Sequence, residues 1–220
     1  MKSPIPSALP SREPASGRVH VLIDTPAGSR NKYKYDAALG AFCISRRLPA
    51  GLCFPHDFGF IPGTRAEDGD ALDAMVLGAE PCFPGCLTAT RLIGIVHAEQ
   101  VESGRRIRND RLIACAETRV NPALFRELHE VPEEALRAIE VFLEAYNRAE
   151  GREFHITGRG GAVAAETALE AALVGDPEQP PGEGDGKPAW QGSQQHEPRV
   201  QDRAQGDPPR GSKAGRRAHR

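Results

Sequence analysis

The sequence predicts a mainly β domain, either a barrel or a sandwich of antiparallel strands, followed by two C-terminal α-helices. Several strand-like segments lie at close spacing between residues 19 and 116, with no helical pattern between them. Long helical periodicity begins only at Val131, and apolar residues almost disappear from Gly175 onward. We therefore predict a flexible leader over residues 1–17, one folded domain over residues 18–174 and a disordered tail over residues 175–220.

The predicted strands are runs of apolar residues or alternations of polar and apolar residues. Gly94 interrupts the longest run and predicts a bend or a bulge there. Residues 100–108 are polar and charged, which predicts an exposed hairpin loop. Residues 49–66 are rich in Pro, Gly and Phe, and we expect their phenylalanines in the core. The predicted strands cover residues 19–24, 32–36, 41–48, 74–77, 86–99, 110–116 and 154–158.

Two helices are predicted after the main group of strands. Residues 131–151 carry one apolar stripe at helical spacing, with Pro132 in the first turn and Gly151 at the end. Residues 161–174 predict a second, alanine-rich helix. The stripe of the first helix contains Ala135, Leu136, Ile139, Phe142, Leu143 and Tyr146.

The composition argues against several classes of protein. A net charge of −2 over 220 residues gives no global field for nucleic acid, and no apolar run is long enough to span a membrane. The basic end of the tail would suit RNA or an acidic partner, but a solvated tail is the simpler interpretation. The first residues lack the apolar segment of a secretory signal, and an odd number of scattered cysteines (5) predicts reduced thiols in a cytoplasm. Cys82 and Cys86 have the spacing of half a metal site without a second pair, so we interpret them as buried or free thiols.

Residues 67–73 place four carboxylates around Gly69. If the segment runs out of a turn into a strand, Asp68 and Asp70 share one face, and a bend at Gly69 lets Asp73 join them. Converging carboxylates raise each other's pKa, and a hard cation such as Mg²⁺ or Mn²⁺ relieves the repulsion. The segment therefore predicts a metal site at Asp68, Asp70 and Asp73, with a solvated acidic turn as the alternative.

A predicted hairpin over residues 32–48 carries Lys32, Lys34, Arg46 and Arg47. A pair of strands with this charge would hold an anion. The alternative is the solvated face of an ordinary sheet.

Taken together, these segments resemble the soluble family I inorganic pyrophosphatases over about residues 19–174. The strongest match is the D-G-D-x-x-D signature at residues 68–73. Upstream lies an aromatic-P-x-x-aromatic-G-aromatic-I segment at residues 54–61. Shorter matches are I-x-x-P at residues 23–26, K-Y at the start of a strand, and Arg46 before the phenylalanine-rich segment.

The resemblance implies a small closed OB-like β-barrel with two flanking helices, dependence on Mg²⁺ (or Mn²⁺), a cytoplasmic setting and a homo-oligomer. Pyrophosphate would be the substrate. Asp68 and Asp73 would bind metal, and Asp70 would orient or deprotonate the attacking water. The residues that would bind phosphate oxygens are Lys32, Arg46, Arg111 and Tyr146.

This chain departs from the family pattern at several positions of the first half. The glutamate of an I-E-x-P motif is Asp24, which is one methylene shorter. Lys34 stands where the family has a second glutamate, which reverses the charge, and its ammonium would fill an emptied metal site. Phe54 and Phe58 stand where the family has two active-site tyrosines, and they have no hydroxyl.

A further group of departures surrounds a family D-x-K segment. Asn109 stands in the place of the aspartate and Arg111 in the place of the lysine. Strand alternation would direct Asp110 to the wrong face. Glu99 or Glu102 would supply a second acidic ligand. After Tyr146, Asn147 stands where a lysine is usual.

Three functions follow from these observations. The first is Mg²⁺-dependent hydrolysis of pyrophosphate to two phosphates. The second keeps the fold and metal site but hydrolyses another phosphoanhydride, such as a nucleotide or a longer polyphosphate. The third is a non-catalytic module that binds phosphate or metal.

Overall fold

A computed structural model describes residues 9–36, 38–78, 80–102, 104–118 and 120–174. The predicted tail over residues 175–220 and residues 1–8 of the predicted leader lie outside the described residues. The described chain contains nine strands, two α-helices and a short 3-10 helix at Leu128–Glu130. The strands are β1 Val19–Thr25, β2 Asn31–Asp36, β3 Ala41–Arg47, β4 Asp57–Phe60, β5 Asp73–Leu77, β6 Leu87–Glu102, β7 Arg105–Arg108, β8 Arg111–Ala116 and β9 Glu153–Gly161, and the helices are α1 Glu133–Ala149 and α2 Ala162–Ala172.

Five strands pair in a circuit that returns to its start. β1 pairs with β4, β4 with β5, β5 with β8, β8 with β6, and β6 again with β1. The sequence predicts antiparallel strands only, but β5 and β8 are parallel. A circuit with an odd number of strands cannot alternate in direction all the way round, so one neighbouring pair must be parallel. β7 and β9 extend the sheet from β6, and β2 and β3 form a separate two-stranded sheet.

The sequence patterns did not predict two of the strands, β4 and β7. β4 is short and contains Gly59, where an added Cβ would lie 2.2 Å from the backbone oxygen of Leu22 in β1. Glycine is therefore required for the close approach of β1 and β4, although it weakens the strand signal. The hairpin loop predicted over residues 100–108 is wrong, because β6 continues to Glu102 and pairs with the charged strand β7. The bulge expected at Gly94 is present between Leu92 and Gly94.

Two apolar clusters hold the helices against the sheet. The apolar stripe of α1 packs with Phe54 and Phe58 in one cluster, and α2 contributes Ala165 and Leu169 to the other. Phe54 and Phe58 are buried as expected, whereas Phe60 is only half-buried. The buried members of the α1 stripe are Leu136, Ile139, Phe142, Leu143 and Tyr146.

Residues 9–17 of the predicted leader contact the domain. The backbone N–H of His20 donates to the oxygen of Ser11, and Nδ1 of His20 lies 2.9 Å from the oxygen of Pro10. Arg12 forms ion pairs of 2.5 Å and 3.0 Å with Glu166 and Glu170 of α2. In the part of the chain that the structure describes, no helix combines the length and the apolar character needed to cross a membrane.

Candidate active site

The acidic segment between β4 and β5 is a tight turn rather than the start of a strand. Gly69 has a φ of 87°, and the N–H of Asp70 donates to Oδ1 of Asp68 at 3.2 Å. The N–H of Ala66 donates to the oxygen of Asp70 at 2.7 Å, which closes the turn. β5 begins only at Asp73. The expectation that Asp68 and Asp70 share a strand face is therefore wrong, because a hydrogen-bonded turn sets their directions.

The turn nevertheless concentrates negative charge. Burial raises the pKa of Asp68, although the N–H of Asp70 opposes this effect. The negative charges of Asp70 and Asp73 raise that pKa further. Asp70 is exposed, and among the described residues no hydrogen bond or ion pair engages its carboxylate. Among Asp68, Asp70 and Asp73, Asp70 is therefore the one whose carboxylate has no partner in the described residues.

Arg111, at the start of β8, connects this turn to the rest of the site. Its Nη2 lies 3.2 Å from Oδ2 of Asp73, and the arginine side chain is only 5% exposed. Nη1 donates to the backbone oxygens of Asn109 at 3.1 Å and Asp110 at 2.9 Å, and to the side-chain oxygen of Asn109. Within the described residues the buried Nε has no hydrogen-bond partner. The guanidinium is thus fixed beside Asp73 with one donor left unsatisfied.

The other predicted acids of this region are directed elsewhere. The carboxylate of Asp110 accepts hydrogen bonds from the Ala98 N–H at 3.0 Å and from Arg108 Nε at 2.6 Å, so it faces away from Asp73 as strand alternation predicts. Glu99 forms an ion pair of 3.1 Å with Arg106.

Gln100, the next residue of β6, accepts a hydrogen bond from Nδ2 of Asn109 at 2.6 Å. Because neighbouring strand residues face opposite sides, Glu99 points away from Asn109 and does not join the acidic turn. The side chain of Glu102 lies outside the described residues.

Lys32 and Asp24 form a second, fully buried ion pair. Nζ of Lys32 lies 3.0 Å from both carboxylate oxygens of Asp24, and the two side chains are 5% and 7% exposed. The ammonium also lies 4.1 Å from the ring centroid of Phe58 and 5.6 Å from that of Phe54. Burial raises the pKa of Asp24 against the opposing charge of Lys32, and the charge of Asp73 raises it further. Aromatic rings without hydroxyls therefore enclose the lysine that was predicted to bind phosphate.

Arg46 and Tyr146 meet at Glu150, the residue that follows α1. Nε of Arg46 lies 3.4 Å from Oε1 of Glu150. Tyr146 is 7% exposed, and its ring contacts Phe54 and Phe142. Burial raises the pKa of Tyr146, and the negative charge of Glu150 raises it further.

Two substituted positions have different surroundings. Lys34 is exposed on β2, and no ion pair to it exists among the described residues. Asn147 is fully buried and donates from Nδ2 to the oxygen of Leu143 at 2.8 Å. It therefore packs within the domain rather than facing the acidic turn.

Sequence reasoning missed Gln100 and Glu150. Gln100 was assigned to a loop because the charged hairpin hid the continuation of β6. Gly151, which follows Glu150 with a φ of 75°, indicates where α1 ends, but it carries no signal for the partners of Glu150.

Two other features lie outside this group of residues. A cavity of about 610 Å³ lies between the 3-10 helix, the start of α1 and β9, and none of the predicted site residues lines it. Cys82 and Cys86 are half-buried free thiols, each with Sγ 3.7 Å from Oγ1 of Thr88.

The acidic turn fits a hard divalent cation by its chemistry. Asp68, Asp70 and Asp73 offer carboxylate oxygens, and a cation would relieve the repulsion that raises the pKa of Asp68. In the described residues, however, no three Asp, Glu, His or Cys side chains lie close enough to share one metal ion. The ion pair with Arg111 holds Asp73, so metal binding requires a side chain of this group to move.

Comparison with known proteins gives a consistent result. A family model described as inorganic pyrophosphatase matches residues 21–174. An inorganic pyrophosphatase of Nostoc sp. is 36% identical over 152 residues, which cover 69% of this chain and 87% of the relative. An inorganic pyrophosphatase of Thermus thermophilus is 34% identical over 170 residues, which cover 76% of this chain and 95% of the relative.

Solved structures agree with the sequence matches. The crystal structure of inorganic pyrophosphatase from Thermus thermophilus superimposes with a TM-score of 0.68 at 32% identity, covering 76% of this chain and 95% of that one. The enzyme from Neisseria gonorrhoeae gives a TM-score of 0.66 at 26% identity, covering 76% and 96%. The mainly β fold with two helices is common to them. The chain therefore belongs to the inorganic pyrophosphatase family.

Proposed function

We propose that this protein hydrolyses inorganic pyrophosphate to two phosphates in a reaction that depends on Mg²⁺. Membership of the family makes it an inorganic diphosphatase. The observation that carries the proposal is the ion pair between Arg111 and Asp73. It brings a guanidinium, which is a group that binds phosphate well, to the acidic turn, within electrostatic range of Asp68.

Asp68 and Asp73 would hold the metal, with Asp70 beside it. Mg²⁺ bound there would neutralise charge on the diphosphate and lower the pKa of a bound water. Mn²⁺, which also accepts carboxylate oxygens, would substitute. Arg111 would be free to bind an anion when Asp73 serves as a metal ligand.

Asp70 would act as the base. Its exposed carboxylate would accept a proton from the attacking water as the new oxygen–phosphorus bond forms. The bond between the attacked phosphorus and the bridging oxygen breaks, and the leaving phosphate keeps that oxygen with the electron pair of the bond. Asp70 therefore needs to stay free of internal partners, as its exposure allows.

The cations would bind and balance the phosphate oxygens. Nη2 of Arg111, which faces Asp73, would donate to a phosphate oxygen when Asp73 serves as a metal ligand. Arg46 is 41% exposed on β3 and would offer its remaining N–H groups. Lys32 would act from within its pair with Asp24, and the hydroxyl of Tyr146 would donate to a phosphate oxygen.

The resemblance also implies features of the whole molecule. We propose a small closed OB-like barrel, which the circuit of strand pairings supports. We also propose a homo-oligomer in a cytoplasmic setting, and light scattering on the purified protein would test the assembly.

A substrate panel tests the proposed reaction. Phosphate release would be measured with Mg²⁺ from pyrophosphate, from a nucleoside triphosphate and from a longer polyphosphate. Pyrophosphate should give a kcat/KM at least about tenfold above the others. A preference for a nucleotide or for polyphosphate would instead support the phosphoanhydride hydrolase with another substrate.

A further inference from the structure

Glu150 occupies an unfavourable place for a carboxylate. It directly follows α1, and its backbone N–H donates to the oxygens of Tyr146 and Asn147 at 3.1 Å and 3.0 Å. A negative charge at the C-terminus of a helix is disfavoured by the helix dipole. Its side chain is also only 8% exposed, which adds a cost of desolvation. Such a residue needs compensation from its neighbours.

Two arginines supply that compensation. Oε1 of Glu150 lies 3.4 Å from Nε of Arg46, and Oε2 lies 3.4 Å from Nη1 of Arg152. Arg152 follows Glu150 by only two residues in the sequence. Arg46 comes from β3, far away in sequence, and is the contact that a simple helix end does not need.

The ion pair also orients Arg46. Glu150 engages Nε, so Nη1 and Nη2 stay available, and among the described residues no other ion pair holds this guanidinium. An arginine with a fixed Nε edge presents two parallel N–H donors, the geometry that binds a phosphate group well.

We propose that Glu150 is a positioning residue for phosphate binding, which fixes Arg46 through its buried carboxylate. The inference rests on the proposed function, because it gives Arg46 something to bind. Glu150 acts through Arg46 and does not itself touch the substrate. Removal of its charge leaves Arg46 mobile and weakens substrate binding more than it slows the chemical step.

A double-mutant cycle tests the inference. We expect Glu150→Gln and Arg46→Gln each to raise KM for pyrophosphate about tenfold, with a change in kcat of less than about threefold. The double variant should raise KM no more than either single variant, because Glu150 has no effect once Arg46 is absent. Calorimetry with methylenediphosphonate, a diphosphate that is not hydrolysed, should show the same loss of affinity and the same lack of additivity.

Arg152→Gln is the matched control. It removes the other partner of Glu150 but leaves the contact with Arg46, so KM should change less than about twofold. A purely structural role for Glu150 would instead lower the melting temperature in both Glu150→Gln and Arg152→Gln with KM unchanged. Additive KM effects in the double variant would also overturn the inference.

The outcomes separate this inference from the proposed function. If the natural protein does not release phosphate from pyrophosphate, the proposed function fails. If it does, and Arg46→Gln raises KM while Glu150→Gln leaves KM unchanged, only the role of Glu150 fails. An unchanged KM in Arg46→Gln would also overturn the inference, because Glu150 would have no phosphate contact to position.

Discussion

Nη2 of Arg111 lies 3.2 Å from a carboxylate oxygen of Asp73, so one aspartate of the acidic turn already has a cation supplied by the chain. Arg111 is held in place by the backbone oxygens of Asn109 and Asp110. A metal ion that uses Asp73 therefore competes with a fixed positive charge. This competition distinguishes the site from a simple cluster of carboxylates.

Removal of the positive charge of Arg111 should strengthen metal binding at the acidic turn. We expect Arg111→Gln to bind Mn²⁺ about tenfold more tightly without substrate, because Asp73 is freed and a nearby like charge is lost. Arg111→Lys, which keeps the charge, is the control and should bind Mn²⁺ much as the natural protein does. Titration calorimetry measures both. Equal or weaker binding by Arg111→Gln would show that Arg111 does not compete with the metal.

The buried pair of Lys32 and Asp24 should govern stability. Lys32→Met leaves an unpaired carboxylate inside the protein and should lower the free energy of unfolding by about 3–5 kcal/mol. Lys34→Met, at an exposed position of the same strand, should change it by less than about 0.5 kcal/mol. Urea denaturation compares the two. Similar losses in both variants would contradict the account of the pair.

The loss of unfolding free energy in Lys32→Met should depend on pH. Burial holds the pKa of Asp24 above its ordinary value, so the ionised carboxylate costs stability above that raised pKa. The cost is relieved as the pH falls through the raised pKa and Asp24 becomes neutral. The difference from the natural protein should therefore be smaller at about pH 5 than at about pH 7. A loss that is equal at both values would exclude Asp24 as its source.

Arg159 should stabilise the contact of β9 with α1. It donates two hydrogen bonds to Glu140, at 2.6 Å and 2.9 Å, and also pairs with Glu133. Arg159→Gln should lower the free energy of unfolding by roughly 1 kcal/mol. Hydrogen bonds from Arg159 and Arg137 lower the pKa of Glu133, so this part of the stability is present above the ordinary carboxylate pKa.

The contribution of the Arg159–Glu133 pair to stability should disappear as the pH falls through the lowered pKa of Glu133. Thermal unfolding of the natural protein and Arg159→Gln should therefore converge in acid. Val163→Ala, at an exposed position of α2, serves as the control and should show no such pH dependence. A constant gap between the natural protein and Arg159→Gln at every pH would contradict the role of Glu133.

Cys82 should resist alkylation. Burial raises its pKa to about 12, so roughly one thiol in ten thousand is ionised at pH 8. Cys53 is exposed and should react with iodoacetamide well before Cys82. Peptide mass spectrometry follows both sites in one sample. Equal rates of labelling would show that the loop around Cys82 opens readily.

The sequence predicted most elements because their patterns are local. The alternation in β2 and the apolar stripe of α1 each identify an element without its neighbours. β4 was missed because the reason for Gly59 is the backbone of Leu22 in another strand. β7 was missed because charged residues suit an edge strand as well as a loop.

The residues of the candidate site could be named from the sequence, but their pairing could not. The family resemblance assigned Asp73, Arg111 and Lys32 to one site, with Asp24 at a substituted position, yet it did not show that these cations and acids pair with each other. Those partners come from different strands, so only the folded chain brings them together. Glu150 was missed for the same reason, since its partner Arg46 lies on β3.

The most direct test is phosphate release from pyrophosphate by the natural protein and by Asp70→Asn, with Mg²⁺ and then with Mn²⁺. Asparagine keeps the size of the side chain but cannot accept the proton of the attacking water. The proposed function predicts turnover by the natural protein with a loss of at least about a hundredfold in kcat for Asp70→Asn. Undiminished turnover by Asp70→Asn, or no turnover by the natural protein with either metal, would contradict it.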